Sequence, residues 1–180
     1  MMNCDPLYWY WKAELPDSLC DAIITEGLKL SPKDGQVGDG EGIVDDIIRK
    51  SKVAFFPCDS WVSAITSNYM HRANNAAWKF DITGAQDPQF TIYNPNEFYD
   101  FHTDCDQLGE TMRKLSVVIT ITDPDTYTGG EFEFDTGEKP DIKSRGSVMV
   151  FPSFIRHRVT PVKSGVRYSL VNWFVGPQLK

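Results

Sequence analysis

Histidine and cysteine are scarce in this chain, and basic residues are outnumbered. Three histidines and four cysteines occur among 180 residues. Cys4, Cys20, Cys58 and Cys105 form no Cys-x-x-Cys pair, which sets aside a zinc ribbon or a dithiol redox centre. They read as free thiols of a protein in a reducing compartment, and a cytoplasmic location is expected. No run of about 18 apolar residues occurs, and Met1 to Trp11 lack the basic-then-apolar order of a secretory signal, so neither membrane insertion nor export is expected. The net charge is −7, from 18 basic and 25 acidic residues, and no Lys/Arg run exceeds two. Such a chain repels polyanions on average, so nucleic acid is not an expected partner. Internal repeats and low-complexity tracts are also missing, which excludes solenoids and propellers.

What is present is core material. Hydrophobic residues make up 41% of the chain and aromatic residues 13%, enough for one domain spanning 1–180 with a sizeable interior. Pro16-Asp17-Ser18 opens a helix whose apolar positions are Leu19, Ala22, Ile23, Ile24 and Leu28, weakened at Gly27 and Pro32. Residues 31–42 carry Ser31, Pro32, Asp34, Gly35, Gly38, Gly40 and Gly42, which is loop chemistry. A second helix is predicted from about Asp59 to Trp78, with Trp61, Ile65, Tyr69, Ala73 and Ala76 as its stripe. Beyond it, β-rich runs alternate with turns: 90–93, 116–122, 131–135, 147–151, 157–162 and 166–174. The class is α+β, an antiparallel barrel or sandwich with helices buttressing one face.

Two of the three histidines keep company that suggests chemistry. His102 and Asp104 stand two apart, so on a strand they would face one point with an imidazole nitrogen and a carboxylate oxygen. Alone the pair is equally a polar patch on a solvent-facing strand. His157 lies 53 residues after Asp104 in a β-rich run, and by itself would be an ordinary hydrogen-bonded histidine. Together, two neutral imidazoles and one carboxylate on one face of an octahedral ion leave open positions, the pattern of non-haem Fe(II), whereas structural zinc would be closed and favour cysteine. Arg167, among Val166, Leu170 and Val171, either makes a rim salt bridge or offers its planar fork to a carboxylate. His71 is read as structural or exposed, and Cys105 is given no role.

Tyr93 through Asp104, Gly129-Gly130-Glu131, and His157 followed by Arg167 and Trp173 resemble, in order and spacing, the prolyl-4-hydroxylase-like branch of the 2-oxoglutarate, Fe(II)-dependent dioxygenases. The run His157-Arg158-Val159-Thr160-Pro161-Val162, with Gly165 and Arg167, is similar to the bacterial PKHD-type hydroxylases, and the length fits small phage-encoded members, which would work in the host cytoplasm. The resemblance implies a double-stranded β-helix (jelly roll) of two antiparallel sheets, with a catalytic core at about 88–177. It implies His102, Asp104 and His157 as iron ligands and as the catalytic centre. Arg167 would bind the far carboxylate of 2-oxoglutarate, Tyr93 would hydrogen-bond that cosubstrate, and Ser169 would assist at the same end. Tyr99 and Trp173 would border the substrate pocket, and Phe101 and Phe151 are further candidates to wall it.

The implied reaction uses Fe(II), 2-oxoglutarate and O2, with ascorbate as reductant, and hydroxylates a C–H bond, foremost of a peptidyl proline, giving succinate and CO2. A proline-containing protein or peptide is then the expected partner. The alternatives are the same chemistry on another residue or small molecule, and a non-catalytic metal-binding jelly roll. Where the family pattern usually carries glycine between its two tyrosines, Asn96-Glu97 stand before Tyr99. Tyr99, Asp106 and the segment 81–89 could form a lid or a strand-gripping edge, with ordinary solvated loop the expected description of 81–89.

Overall fold

Apolar and β-branched residues that run without interruption suit strands covered on both faces, and the second half of the chain is built of them. The computed structural model describes residues 6–36, 45–105, 107–108 and 110–178. In chain order the elements are β1 (Trp9–Trp11), α1 (Asp17–Lys29), β2 (Lys33–Asp34), β3 (Arg49–Lys50), β4 (Lys52–Phe55), α2 (Trp61–Ala76), β5 (Gly84–Ala85) and β6 (Gln89–Tyr93). They continue with β7 (Phe98–His102), β8 (Gln107–Leu108), β9 (Thr111–Thr120), β10 (Thr128–Gly129), β11 (Phe132–Phe134), β12 (Ser147–Pro152), β13 (His157–Val159), β14 (Val162–Ser164) and β15 (Arg167–Pro177).

The major sheet runs β1-β12-β9-β15-β6-β4-β2, with β5 added to β15 and β8 to β9. A minor sheet runs β11-β13-β7-β3, and β10 pairs with β14 in a short ribbon. All pairings are antiparallel. Two antiparallel sheets with helices on one side agree with the jelly roll that the sequence resembles. Strand alternation divides the core in two. Leu115, Val117, Ile119, Val148, Val150, Leu170 and Phe174 face the helices with Ile23, Val62, Tyr69, Met70 and Ala73. Val118, Met149 and Phe151 face the minor sheet with Phe132, Phe134 and Val159.

Several elements differ from the sequence reading. Pro16 holds the N-cap position of α1 with extended backbone and no side-chain cap, and its carbonyl accepts the Leu19 and Cys20 N–H groups. The buried face of α1 is Cys20, Ile23 and Gly27, while Leu28 is exposed. Gly27 is required there: a Cβ at this position would lie 2.6 Å from the Phe90 ring. On α2, capped by Ser60, the buried set is Val62, Ser63, Thr66, Tyr69, Met70, Ala73 and Asn74, so the face is rotated from the expected stripe, and Trp61 and Ala76 point to solvent. Thr66 and Asn74 are buried because they have partners: Thr66 donates to Asn172 on β15 (2.7 Å) and Asn74 caps Phe80 at both backbone groups. The single run expected at 157–162 splits into β13 and β14, which join different partners.

β2 forms inside the stretch expected to be loop. The segment 81–89 is an ordered sheet edge and not a lid, since Thr83 N and Gln86 N donate to the carbonyls of Val175 and Trp173 and β5 extends β15. Cys20, Cys58 and Cys105 form no disulfide among the described residues, and His71 is exposed. Cys4, the Gly38, Gly40 and Gly42 portion of the expected loop, and Asp106 lie outside the described residues. No helix among the described residues is long and apolar enough to cross a membrane.

Candidate metal centre and its cleft

The cleft between the sheets takes alternate side chains from neighbouring strands. Arg167, Ser169, Val171 and Trp173 enter it from β15, Gln89 and Tyr93 from β6 and Val118 from β9, with Tyr99, His102, Asp104, His157 and Phe132 opposite. The register sets Arg167 beside Tyr93 and Ser169 beside Thr91, so side chains of one parity meet across the ladder. Eight of the residues picked out of the sequence, His102, Asp104, His157, Arg167, Tyr93, Ser169, Tyr99 and Trp173, line this one cleft, whereas Phe101 and Phe151 do not.

His102, Asp104 and His157 bring one ligand atom each to within 4.8 Å of one another. The distances are 3.4 Å from His102 Nε2 to Asp104 Oδ1 and 3.6 Å from His157 Nε2 to Asp104 Oδ2. The origin of this convergence is not the simple alternation expected from the sequence. β7 ends at His102, and Asp104 lies past it, held by donation of its N–H to the Ser153 carbonyl (2.9 Å). Against β13, His157 opposes His102 while Val159 opposes Tyr99, so a step of two residues on one strand matches a step of three on the other. This bulge in β7 turns Tyr99 and His102, three apart, to the same face. Their rings stack at 3.5 Å and 10°. Asn96, at a φ of 69°, takes the left-handed turn for which glycine would be usual, and Glu97 caps it by accepting the Asn94 N–H (2.8 Å).

Each imidazole is oriented through its far nitrogen. His102 Nδ1 lies 2.8 Å from the Asp100 carbonyl and His157 Nδ1 2.9 Å from the Ile155 carbonyl, which makes Nδ1 the protonated nitrogen and turns the Nε2 lone pair to the common point. Burial lowers the His157 pKa to about 4 against the pull of Asp104, so the ring is neutral at neutral pH. Burial acts to raise the pKa of Asp104, but His157, His102 and the Ser116 hydroxyl outweigh it, and the carboxyl is held well below the usual range. Ser116 donates to Asp104 Oδ2 at 2.7 Å and lies 2.9 Å from the Ser153 hydroxyl. Phe132 and Phe151 pack on the His157 ring, and Phe151 lies behind it rather than in the cleft lining. Phe101 is likewise outside the cleft, under the Arg156 and Arg158 guanidiniums. An anionic carboxylate beside two preoriented imidazoles suits a divalent transition metal, and three protein ligands leave positions for small molecules.

Arg167 is 2% exposed. It donates to Ser169 Oγ (3.1 Å) and lies 5.5 Å from the Tyr93 ring, but its Nε has no partner and no carboxylate of the described residues pairs with it. Gly130 makes room for its stem: a Cβ there would lie 2.8 Å from Arg167 Cδ, and the glycine has a φ of 64°. Trp173 Nε1 is likewise buried without a partner, and its ring carries the Arg113 guanidinium at 4.2 Å. Burial raises the Tyr93 phenol's pKa despite Arg49 and Arg167 nearby, so it remains a neutral donor. The sequence reading missed Arg49, Gln89, Ser116 and Ser153. Gln89 shares strand parity with Tyr93, a signal that was available, whereas Arg49 has no motif around it.

Comparison with known proteins places these features in company. Residues 88–175 match the family model described as the 2OG-Fe(II) oxygenase superfamily. A PKHD-type hydroxylase of Shewanella sp. (strain ANA-3) is 36% identical over 92 residues, which is 48% of this chain and 41% of the relative. The PKHD-type hydroxylase YbiX of Escherichia coli O1:K1 / APEC is 37% identical over 93 residues, with the same coverage. The match therefore spans about two fifths of the length of these curated relatives. Among solved structures, the viral collagen prolyl hydroxylase of Paramecium bursaria Chlorella virus-1, a 2OG complex, superposes with a TM-score of 0.74 at 24% identity, covering 97% of this chain and 99% of that one. A prolyl hydroxylase of Trichoplax adhaerens, bound to a fragment of the hypoxia inducible factor oxygen degradation domain, gives 0.77 at 19%, covering 94% and 84%. At these identities the structural likeness is one of fold.

Proposed function

Residues 88–175 belong to the 2OG-Fe(II) oxygenase superfamily, and from that premise we propose that the chain is a 2-oxoglutarate- and Fe(II)-dependent dioxygenase that hydroxylates a C–H bond, foremost that of a peptidyl proline. The observation that carries the reading is the coexistence, in one cleft, of an open His/Asp/His ligand set and a buried guanidinium with no acid to pair with. A buried, unpaired arginine is costly, and a dicarboxylate cosubstrate supplies the missing anion. Iron, when bound, supplies the oxidative chemistry in which 2-oxoglutarate gives succinate and CO2 and oxygen enters a C–H bond.

This chain's residues do the rest. His102, Asp104 and His157 would hold the metal with their Nε2 and carboxylate atoms, kept in place by the Asp100, Ile155 and Ser153 carbonyls and the Ser116 hydroxyl. Arg167, Ser169 and the Tyr93 phenol would bind and orient the cosubstrate. Val118, Phe132, Val159 and Val171 would keep water from the reacting centre, and Tyr99 and Trp173 would border the substrate. The whole chain is read as one domain with its catalytic core at about 88–177, acting in a cytoplasm on a proline-containing protein or peptide, with ascorbate to restore the ferrous state.

The test is succinate formation by purified protein with Fe(II), ascorbate, O2 and 2-oxoglutarate, with and without a panel of prolyl peptides, beside a His102→Ala control. Turnover that is absent from the control and raised by a prolyl peptide supports the reading. Failure to bind either metal or 2-oxoglutarate returns the protein to a non-catalytic binding module.

A further inference from the structure

Arg49 is the feature of the cleft that the proposed chemistry leaves unused. It comes from β3, the edge strand of the minor sheet, and although a charged side chain it is only 6% exposed. Its head group is held in place: Nε donates to Ser51 Oγ (2.9 Å), Nη1 donates to the Gln36 carbonyl (3.1 Å), and the guanidinium lies 4.6 Å from the Tyr99 ring. Tyr99 in turn stacks on His102, so Arg49, Tyr99 and His102 form a file leading to the metal ligands. Those two hydrogen bonds use two of the five guanidinium N–H donors. No carboxylate of the described residues pairs with Arg49. The buried Glu97 is engaged by the Asn94 N–H and side-chain amide.

The charge balance of the cleft gives this cation its meaning. The charged residues that line it are Arg49, Arg167 and Asp104, so with its histidines serving as metal ligands the cleft contributes one net positive charge. A divalent iron and the dianion of 2-oxoglutarate cancel each other, so the loaded cleft keeps that one positive charge. With Arg167 satisfied by the cosubstrate, the charge is left on Arg49. A buried, preorganised guanidinium with no acid partner among the described residues favours an anion of matching planar shape.

We propose that Arg49 is the carboxylate anchor of the prime-substrate subsite: the molecule hydroxylated here presents a carboxylate to Arg49 beside Tyr99. This rests on the dioxygenase reading and adds the class of substrate to it. The carboxylate has two possible sources, the free acid of a small amino acid or chain terminus, and an acidic side chain next to the target residue within a peptide.

The experiment uses full-length protein loaded with Mn(II) and N-oxalylglycine, which stands in for 2-oxoglutarate without turnover. Binding is followed by calorimetry for two matched pairs: N-acetyl-L-proline against N-acetyl-L-prolinamide, and the capped dipeptides acetyl-Pro-Glu-amide against acetyl-Pro-Gln-amide. At least one acid is expected to bind about tenfold or more tightly than its neutral partner, and the responding pair identifies the source of the carboxylate. Arg49→Gln should abolish that preference and Arg49→Lys should keep part of it, so the result does not depend on one variant folding. Equal binding of acid and neutral probe in both pairs by wild-type protein overturns the proposal, as does an acid preference that survives Arg49→Gln. Binding of N-oxalylglycine is measured first and tests the dioxygenase reading separately. If it does not bind, the same acid and amide pairs are compared on protein loaded with metal alone, where they still decide the role of Arg49.

Discussion

Replacing Arg167 by Met should move stability and ligand binding in opposite directions. In the ligand-free protein the guanidinium is buried, with a partnerless Nε, one bond to Ser169 and only the Tyr93 ring as further support. An unsatisfied buried donor costs about 1 to 3 kcal/mol, and the unpaired charge adds to it. Methionine has a similar length, fills the space that Gly130 leaves and carries no donor. The apo variant should therefore be more stable than wild type by about 1 to 3 kcal/mol, a rise in Tm of roughly 2 to 12 °C for a chain of this size. The added anion reverses the order. At about 100 times its Kd, 2-oxoglutarate should stabilise the metal-loaded wild type by about 2.7 kcal/mol. The variant, without a charge-assisted contact of about 1.5 to 3 kcal/mol, should bind 10 to 150 times more weakly at a rough estimate. Scanning calorimetry with chelator, then with Mn(II) and 2-oxoglutarate, measures both. A variant that is destabilised without ligand, or that keeps wild-type affinity for 2-oxoglutarate, refutes the argument that Arg167 awaits an anion.

Three other outcomes are expected. Ser116→Ala removes the 2.7 Å donation to Asp104 and should weaken metal binding about 10 to 100-fold, measured by competition with a chelating dye, while the fold persists; unchanged affinity would deny Ser116 a positioning role. Acid should destabilise the metal-free protein from about pH 6.5 downward, because the unfolded chain protonates His157 there while the folded one, with its pKa near 4, does not. That loss amounts to about 3 kcal/mol by pH 4, and Asp104, also lowered, adds a further loss below the ordinary carboxylate range. Urea titrations from pH 7 to 4 should show the decline, and an equal decline in His157→Gln would assign it elsewhere. Gly27→Ala should destabilise by about 1 to 3 kcal/mol despite alanine's better helix propensity, since the new methyl meets the Phe90 ring at 2.6 Å; a raised denaturation midpoint would contradict that packing.

Several features were legible in the sequence because they depend on residue type and local spacing. The two helices and most of the later strands follow from hydrophobic period and turn residues. The ligand set follows from the chemistry of two imidazoles and a carboxylate, and Arg167 from the oddity of a cation among Val166, Leu170 and Val171. The faces of the helices were not legible, since Cys20, Gly27, Thr66 and Asn74 are buried for reasons of partner and shape that lie on other strands.

Tertiary structure decided the working geometry. A bulge against β13, not strand alternation, sets His102 and Tyr99 on one face, and Asp104 is placed by a carbonyl 49 positions later, at Ser153. Ser116 reaches Asp104 only because β9 crosses beneath it, and Arg49 enters the cleft only because β3 closes the edge of the minor sheet. The sequence by itself determined which atoms can bind a metal and a dicarboxylate, because that chemistry belongs to the side chains. Which of them meet, and what charge is left over when they do, is a property of how two sheets fold over one another, because pairings between distant strands leave no local pattern to read.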